Sequence, residues 1–327
     1  SKFPDMNNIS KYFKKKLYLI TFKKLLSHSN YKTFMEIYKK NNKLITLGEF
    51  YETNNIINED CDLYDEETGE LIFLFRKRII PDELYDIHQG IISQSKTISN
   101  NRGLAAGKTT IQGLNKFQEQ WKPEAHPVSF VDKNGSDITE DQASSSNFFK
   151  YADGRLSKRA RSNNVQSQAI GGFDKSNRFP CRLTHWTGKN LNKFQTIYPL
   201  SKFISEQYFL YFPEKWLNQN EIYKNSPQEF IIPESNFSTI TINYDYRTAI
   251  HCDKGDCKEG LTCFTIKNCG EWSGGELCFP NYDIGLNIEQ GDLCIFDPHI
   301  AHANNPLKGT GRMSFVLYLR QKMNKCS

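Results

Sequence analysis

Short runs of alternating apolar and polar residues dominate the second half of the chain. Residues 237–243 alternate and are rich in β-branched side chains, which is typical of a strand. Comparable runs cover 260–267, 274–279, 292–296 and 312–320, each separated from the next by Gly, Pro, Asn or Asp. Short strands at this rhythm predict a sandwich or a jelly roll. The last run places one set of side chains on the face that should line a cavity: Arg312, Ser314, Val316, Tyr318 and Arg320.

Helical periodicity appears mainly in the first half of the chain. Residues 9–27 carry apolar side chains at helical spacing between lysines, which predicts a helix. A strand pattern covers 70–77, and Pro81 opens a second predicted helix with acidic residues in its first turn. A further helix is predicted from Pro199 to Pro213. We expect these helices to buttress the sheet, so the predicted fold class is α+β, with a double-stranded β-helix (jelly-roll) core.

Composition divides the chain into three predicted regions. Residues 1–132 form a helical and strand support region, and residues 169–327 form the double-stranded β-helix core. Between them, residues 133–168 are rich in Ser, Asn, Asp, Gly and Lys and show little periodicity. We therefore expect a flexible polar insertion there, which can become ordered on nucleic acid.

Hydropathy and cysteine use favour an intracellular enzyme. The 327 residues are enough for one elaborated domain or two small ones. No apolar run approaches about 18 residues and the N-terminus lacks a signal-peptide pattern, so neither a membrane span nor secretion is predicted. The 9 cysteines form no C-x-x-C pair and are odd in number, which predicts reduced thiols. We expect an intracellular location, nuclear if the source is eukaryotic, and the sequence leaves the oligomeric state open.

Basic residues are clustered, although the net charge of +5 is modest. The clusters at 14–16, 23–24 and 158–161 could neutralise phosphates and so give salt-sensitive, sequence-blind affinity for nucleic acid. Each cluster by itself is more simply a solvated face. The segment 178–182 is a better candidate contact, because it places Phe179 among arginines.

The order and spacing of four polar residues predict a metal centre. His251 and Asp253 stand at i and i+2, so on an extended segment both side chains point the same way, and the third ligand must come from another strand. Two histidines and a carboxylate leave coordination positions open, as in non-haem Fe(II) oxygenases. His302 is preferred to His299 as third ligand because it precedes Arg312 by ten residues, whereas His299 follows Asp-Pro at a turn. A lone His-x-Asp also arises by chance, and Asp253 alone could be a turn residue.

Arg312 should point into an apolar barrel, where a guanidinium is costly unless it meets a planar anion. The far carboxylate of 2-oxoglutarate is the natural candidate, and Ser314 could add a hydroxyl to that site. The simpler alternative for Arg312 is a buried salt bridge.

A glycine-rich segment, residues 101–109, is similar to a phosphate-binding loop. It has one residue too few between its glycines, and no nucleotide-binding domain surrounds it, so we reject an ATPase. Its glycine-rich turn can instead approach the co-substrate or the substrate backbone.

Several motifs together carry a family resemblance. They are Asn243-Tyr244, His251-Cys252-Asp253-Lys254-Gly255-Asp256, Gly274-Gly275-Glu276-Leu277, Gly291-Asp292, His302 and Gly311-Arg312-x-Ser314, with the upstream stretch from Gly171 to Arg182. This set resembles the TET/JBP family of nucleic-acid base dioxygenases over roughly the C-terminal half of the chain. The triad and the arginine are specific to the oxygenase superfamily, and the surrounding motifs narrow the resemblance to TET/JBP.

The resemblance implies roles for individual residues. Fe(II) would be held by His251, Asp253 and His302, and 2-oxoglutarate by Arg312, Ser314 and Asn243. The target base would be contacted by Asp256, Tyr318, Arg320, Asp174, Asn177 and Arg178. An extruded base is held by stacking and by hydrogen bonds to its edge, which Tyr318 and Asp256 could supply, although Tyr318 fits a core aromatic equally well. Arg320 departs from the histidine found in some family members, which leaves the base identity open.

The resulting hypothesis is a dioxygenase that uses Fe(II), 2-oxoglutarate and O2 to oxidise the 5-methyl group of 5-methylcytosine or thymine in DNA. The alternatives are a 2-oxoglutarate-dependent hydroxylase of RNA or protein, a relative that uses ascorbate as co-substrate, and a degenerate domain that binds nucleic acid without chemistry.

Overall fold

A large, mostly antiparallel sheet forms the centre of the computed structural model, which describes residues 35–38, 45–144, 147–177 and 179–326. The helix predicted for residues 9–27 lies outside this part of the chain. The strands of the first half are β1 Met35–Tyr38, β2 Ile56–Ile57, β3 Cys61–Asp65, β4 Leu71–Arg76, β5 Ile98–Ser99, β6 Pro127–Val131, β7 Asp137–Ile138, β8 Phe148–Tyr151, β9 Val165–Phe173 and β10 Arg182–Leu183. Those of the second half are β11 Thr239–Tyr244, β12 Thr262–Asn268, β13 Trp272–Gly274, β14 Leu277–Phe279, β15 Ile284–Leu286, β16 Leu293–Phe296, β17 Ala303–Asn304, β18 Leu307–Gly309 and β19 Arg312–Tyr318.

The helices are α1 Gln89–Ser95, α2 Ile111–Asn115, α3 His185–Lys189, α4 Leu191–Phe194, α5 Tyr198–Tyr211 and α6 Pro213–Lys224. Short 3-10 turns cover Asp82–Tyr85, Gly103–Ala106, Pro123–Ala125, Glu140–Gln142, Gln195–Ile197, Gln228–Phe230 and Met323–Lys325. Among these helices, none is long and apolar enough to cross a membrane.

Two sheets face each other across the jelly-roll core. The large sheet has the order β1-β3-β4-β16-β12-β19-β11-β9-β10, with β5 pairing to β9, and the small one has the order β17-β14-β15-β2. One apolar cluster contains Ile266 and Phe296 from the large sheet together with Phe279 and Leu286 from the small sheet, all at 1% exposure or less. This packing confirms the predicted double-stranded β-helix.

The alternating pattern of β19 holds in the structure. Met313, Phe315 and Leu317 are fully buried in a second apolar cluster with Ile204 of α5 and Ile91 of α1. These helices therefore buttress the outer face of the large sheet, as predicted. The opposite face of β19 contributes Ser314, Val316 and Tyr318 to the cavity wall.

The helix predicted to begin at Pro81 is interrupted. The chain forms a 3-10 turn over Asp82–Tyr85 and then α1 over Gln89–Ser95. Between them, His88 is extended, and its Nδ1 accepts a hydrogen bond from the Gly90 amide at 2.8 Å. His88 thus caps a new helix, which local apolar spacing did not reveal.

The next predicted helix ends where expected but is followed at once by another. α5 ends at Tyr211, and Pro213 stands in the first turn of α6. A proline in the first helical turn loses no hydrogen bond, because that amide has no partner inside the helix. Pro213 therefore starts α6 as well as marking the end of α5.

The segment 133–168, predicted as a flexible polar insertion, carries regular structure in its described residues. It includes β7, β8 and the start of β9. Phe149 is fully buried and packs with Leu114 and Phe130, which lie outside the segment. β7 and β8 pair with β6 in a separate three-stranded sheet of order β7-β6-β8. The domain boundaries at residues 132 and 168 stay a prediction.

Two cysteines are paired, which differs from the prediction of reduced thiols. Cys181 forms a disulfide with Cys326, 145 residues away in sequence. The other seven cysteines form no disulfide. The bond joins the segment after β9 to the C-terminal 3-10 turn. The odd number of cysteines is therefore compatible with one disulfide between distant residues.

Candidate active site

A pair of backbone hydrogen bonds brings the two predicted histidine ligands together. The His251 amide donates to the His302 carbonyl and the His302 amide to the His251 carbonyl, both at 3.0 Å. β11 ends at Tyr244 and the chain turns at Asp245, which has φ 47°, so this strand does not continue to His251. His251 and His302 consequently lie in connecting segments beyond the regular strands and meet at an isolated bridge.

Backbone carbonyls fix the orientation of both imidazole rings. Nδ1 of His251 is 2.8 Å from the Ala249 carbonyl, and Nδ1 of His302 is 2.8 Å from the Ile300 carbonyl. Each Nδ1 is therefore protonated and each Nε2 is left as a lone-pair donor, which is the usual arrangement for metal-ligating histidines.

Asp253 completes a group that could hold a metal ion. Its Oδ1 lies 3.6 Å from Nε2 of His251, and its Oδ2 lies 3.3 Å from Nε2 of His302. One ligand atom from each of the three residues lies within 4.8 Å of the others. The Asp253 side chain keeps 32% exposure, whereas His302 keeps 5%, so the group is approached from the carboxylate side.

The surroundings set the charge of the three side chains. Burial and the neighbouring His302 lower the pKa of His251 to about 4, against the opposing effect of Asp253. Burial acts to raise the pKa of Asp253, but the hydrogen bond and charge of His302 outweigh it and lower the pKa to about 2. Burial likewise acts to lower the pKa of His302, but Asp253 outweighs it and raises the pKa. A neutral His251 and an ionised Asp253 are the ligand forms that a divalent cation requires.

His299, the rival third ligand, lies outside this group. Its Nδ1 is 2.9 Å from Oδ1 of Asp297, with which it shares a turn. This local contact is consistent with the turn that was expected after Asp297-Pro298. The structure thus brings His302, and not His299, to His251 and Asp253.

Arg312 is buried without a charge partner. The residue is 3% exposed, its Nε has no hydrogen-bond partner, and no carboxylate among the described residues forms an ion pair with it. Asp245, the nearest sequence candidate for a salt bridge, accepts instead from the amides of Gly311 and Arg312 at 2.8 Å. Burial lowers the pKa of Arg312 to about 10. The charges of Glu276 and Asp245 oppose this shift without forming an ion pair with the guanidinium, so Arg312 could bind an anion that the chain itself does not supply.

The walls around Arg312 shape that site. The guanidinium carbon lies 5.4 Å from the Trp272 ring centroid and 5.8 Å from that of Phe264. Gly275 has φ 70°, and a Cβ there would lie 3.1 Å from Nε of Arg312. A glycine therefore leaves the guanidinium open on one side, where a larger residue would crowd it. The donor set of the triad and this unpaired arginine fit Fe(II) with a dicarboxylate co-substrate.

Ser314 and Asn243, predicted to bind the co-substrate, belong to one hydrogen-bonded chain on the cavity wall. Ser167 Oγ donates to Asn243 Oδ1 at 2.5 Å, and Asn243 Nδ2 donates to Ser314 Oγ at 3.2 Å. All three residues line the cavity. Ser167 was not predicted, because its place depends on the pairing of β9 with β11.

The triad opens into a cavity of about 440 Å³. Its wall includes three of the residues predicted to contact a base, Asp256, Tyr318 and Arg320. The Tyr318 hydroxyl lies 3.1 Å from Thr241 Oγ1, and Asp256 Oδ2 accepts from Thr262 Oγ1 at 3.0 Å. Burial and the nearby Asp253 raise the pKa of Asp256 well above its usual range, so its carboxyl can also donate a hydrogen bond.

Of the base contacts predicted in the stretch from Gly171 to Arg182, those that the structure describes lie outside the cavity wall. Asp174 is 7% exposed and does not line the cavity; its Oδ1 accepts from Nε of Arg320 at 3.1 Å, so it holds Arg320 in place from behind. Asn177 is exposed and does not line the cavity either. Arg178 lies outside the described residues. Phe173, which was not singled out, does line the cavity and lies 5.4 Å from the Arg320 guanidinium.

The glycine-rich segment 101–109, which was expected to approach the co-substrate or the substrate backbone, forms part of the cavity wall. Arg102, Leu104 and Ala105 line the cavity, together with Tyr246 from the segment before His251. The only sequence signal for this wall was the glycine-rich character of residues 101–109.

The two histidines that competed for the third position give a matched pair of variants. We expect His302→Ala to weaken Fe(II) binding by more than about 100-fold, since loss of a ligand should exceed the 10–100-fold cost of losing a partner of a ligand. His299→Ala should bind Fe(II) like the wild type. Anaerobic titration calorimetry of both variants checks this, and equal affinities would remove His302 from the metal site.

Comparison with known proteins agrees with this geometry. The Tet_JBP family, described as "Oxygenase domain of the 2OGFeDO superfamily", matches residues 169–321. Thymine dioxygenase JBP1 of Trypanosoma brucei brucei is 30% identical over 151 residues, covering 44% of this chain and 18% of that protein. Thymine dioxygenase JBP1 of Leishmania infantum is 32% identical over 150 residues, with the same coverage. The chain thus spans less than a fifth of the length of these relatives.

Among solved structures, NgTET1 in complex with 5mC DNA aligns with 97% of this chain and 93% of its own, at a TM-score of 0.49 and 11% sequence identity. A 2OG-Fe(II) oxygenase family oxidoreductase from Burkholderia pseudomallei aligns with 49% of this chain and 70% of its own, at a TM-score of 0.32 and 14% identity. The matched segment, residues 169–321, contains His251, Asp253, His302 and Arg312, so this part of the chain is similar to the Tet_JBP oxygenase domains.

Proposed function

We propose that the chain is an Fe(II)- and 2-oxoglutarate-dependent dioxygenase that oxidises the 5-methyl group of a pyrimidine base in DNA. The observation that carries this proposal is one cavity that joins a 2-His-1-carboxylate group to a wall bearing Asp256, Tyr318 and Arg320. The curated relatives named thymine dioxygenase support it for the segment that they share with this chain.

His251, Asp253 and His302 would hold Fe(II) through their Nε2 and carboxylate atoms. When bound, the iron and 2-oxoglutarate supply the oxidising power for a C–H bond, with the oxo acid and O2 as the consumed reactants. All three residues line the cavity, so a metal that they held would be accessible to the co-substrate from that side. The two Nδ1 atoms stay bound to carbonyls and keep both rings fixed through turnover.

Arg312 would bind the distal carboxylate of 2-oxoglutarate. Its position deep in the barrel, between the Phe264 and Trp272 rings, excludes water from that ion pair and makes it strong. Ser314, already an acceptor for Asn243, can donate its own hydroxyl proton to the same carboxylate. These residues orient the co-substrate and take no part in proton transfer.

The base would enter the cavity after leaving the duplex stack. Tyr318 offers a ring face, and its hydroxyl is held by Thr241. Phe173 offers an aromatic side chain on the cavity wall beside Arg320. Aromatic side chains of this kind stabilise an extruded base by stacking.

Hydrogen-bond polarity favours thymine as the base. Arginine donates hydrogen bonds and never accepts them, and the raised pKa of Asp256 lets that carboxyl donate as well. Thymine carries a carbonyl oxygen at C4, beside the methyl group, whereas 5-methylcytosine carries an amine there. A wall with two donors, Arg320 and Asp256, suits the carbonyl.

The surface near the cavity supports a nucleic-acid partner. Phe179 is 53% exposed, and the Arg182 guanidinium lies 4.6 Å from its ring centroid. An exposed aromatic ring stacked with a guanidinium can contact unstacked bases and phosphates together.

The reaction itself is tested by anaerobic loading with Fe(II) and 2-oxoglutarate, exposure to O2 with DNA containing thymine or 5-methylcytosine, and nucleoside mass spectrometry. We expect a hydroxymethyl pyrimidine in the wild-type reaction and none with Asp253→Ala, because that variant loses the only carboxylate ligand.

Absence of any modified nucleoside, with continued succinate formation, would contradict the DNA assignment and favour the hydroxylase of RNA or protein. Product formation with ascorbate in place of 2-oxoglutarate would contradict the assigned co-substrate.

Base choice is tested by Arg320→His, which restores the residue type found in some family members. A neutral imidazole can accept from an exocyclic amine, so we expect the ratio of thymine to 5-methylcytosine turnover to fall by about tenfold or more. Competition between the two bases in one duplex measures the ratio. An unchanged ratio would show that Arg320 does not read the group at C4.

A further inference from the structure

Two polar groups on the cavity wall lack a hydrogen-bond partner among the described residues. They are Nε of Arg102 and the hydroxyl of Tyr246, and both atoms are buried. Arg102 forms no ion pair with any carboxylate of the described residues. Both residues line the cavity of the triad. A buried donor without a partner costs free energy, so this wall is incomplete without a ligand.

Backbone contacts hold Arg102 in this place. Its amide donates to Ser162 Oγ at 3.1 Å, and the Ser162 amide donates to the Asn100 carbonyl at 2.9 Å. The following 3-10 turn is tied to the metal-ligand segment, because the Ala249 amide donates to the Ala105 carbonyl at 2.9 Å. Asn163 Nδ2 also donates to the Ala106 carbonyl at 2.9 Å. The loop that carries Arg102 is therefore fixed against the active site.

The charge of Arg102 faces into the cavity. Burial is the main cause of the raised pKa of Tyr246 and of Tyr318. The positive charge of Arg102 acts to lower the pKa of both residues. Arg102, Tyr246 and Tyr318 all line the cavity, so the charge of Arg102 acts on groups that share this wall.

We propose that Arg102 and Tyr246 together bind an oxyanion of a reactant, which completes the cavity with a second anion site besides Arg312. Arginine supplies charge and several donors, and the phenol supplies one further donor. The oxyanion can come from the phosphate of the target nucleotide or from a carboxylate of the oxo acid. The proposal rests on the function proposed above for the identity of these reactants.

The position of the wall favours the phosphate. Arg102 is flanked by Asn101 and Leu104, which are exposed, and Leu47 beside them is 39% exposed. These neighbours mark the cavity mouth, whereas Arg312 is deeply buried. A nucleotide that enters base first leaves its phosphate at the mouth.

Four variants of the full chain test this proposal: Arg102→Gln, Arg102→Lys, Tyr246→Phe and Lys108→Gln. Lys108 is the matched control, because it lies in the same loop, is exposed and does not line the cavity. The protein is loaded with Fe(II) and 2-oxoglutarate without O2. Fluorescence anisotropy then measures binding of a labelled duplex with one thymine or 5-methylcytosine target, at several salt concentrations.

With phosphate as the ligand, Arg102→Gln weakens DNA binding about tenfold and lowers the slope of log affinity against log salt by about 0.9, since one phosphate contact is lost. Arg102→Lys keeps the slope. Tyr246→Phe weakens binding and leaves the slope unchanged, because no charge is removed. Lys108→Gln stays within about twofold of the wild type.

Calorimetric titration of 2-oxoglutarate into the Fe(II)-loaded protein, without DNA or O2, tests whether the oxyanion is instead a carboxylate of the oxo acid. A loss of affinity there for both Arg102→Gln and Tyr246→Phe, with DNA binding intact, assigns the site to the carboxylate. Wild-type affinity for both ligands in correctly folded Arg102→Gln and Tyr246→Phe variants would overturn the proposal. An equal loss of DNA affinity in Lys108→Gln would also overturn it, because a general surface charge would then explain the effect.

These readouts are binding constants, so they stand apart from turnover. A wild-type protein that oxidises neither base but binds DNA through Arg102 would remove the proposed function and leave this site in place.

Discussion

The paired backbone hydrogen bonds between His251 and His302 are the constraint on which the site depends. Each amide donates to the other residue's carbonyl at 3.0 Å, so two connecting segments that are far apart in sequence meet at a fixed spacing. The bridge lies next to β17 of the small sheet, and Asp253 follows two residues after His251. The spacing of the two candidate histidine ligands is therefore set largely by backbone pairing.

Arg312 shows how stability is given up for function. A guanidinium between aromatic rings, without a carboxylate, lies in an environment that lowers its pKa to about 10. Asp245 could have neutralised it, but its oxygens are bound to the amides of Gly311 and Arg312, which fix the start of β19. The chain thus holds the arginine rigidly and leaves its charge for a ligand. Arg102, on the cavity wall, also has a buried Nε without a hydrogen-bond partner among the described residues, but Asn101 and Leu104 beside it are exposed.

The local sequence pattern was sufficient to predict strands with alternating apolar and polar residues and site residues at a fixed spacing. The strands around Thr239–Tyr244 and Arg312–Tyr318 were predicted because one face of each is buried against helices. The triad was predicted because its residues are close in sequence or keep a set distance from Arg312. The break at His88 was missed because it depends on one side-chain cap.

Other features depend on contacts that no local window contains. Phe149 orders its segment by packing on Leu114 and Phe130, and Arg102 is held by Ser162, 60 residues away. The bond between Cys181 and Cys326 spans 145 residues, so spacing could not reveal it. Asp174 was predicted to touch substrate, but the resemblance could not show that Arg320 would take its carboxylate. A sequence motif does not distinguish residues that line a cavity from residues that support the lining from outside.

The proposed function requires that the unpaired charge of Arg312 binds a dicarboxylate beside the metal. The most direct measurement is titration of 2-oxoglutarate into Fe(II)-loaded protein without O2, for the wild type and for Arg312→Met. We predict that the variant loses at least about 100-fold in affinity while its melting temperature without ligand is unchanged or higher, because an uncompensated buried charge has been removed. Equal affinity for 2-oxoglutarate in both proteins would contradict the account.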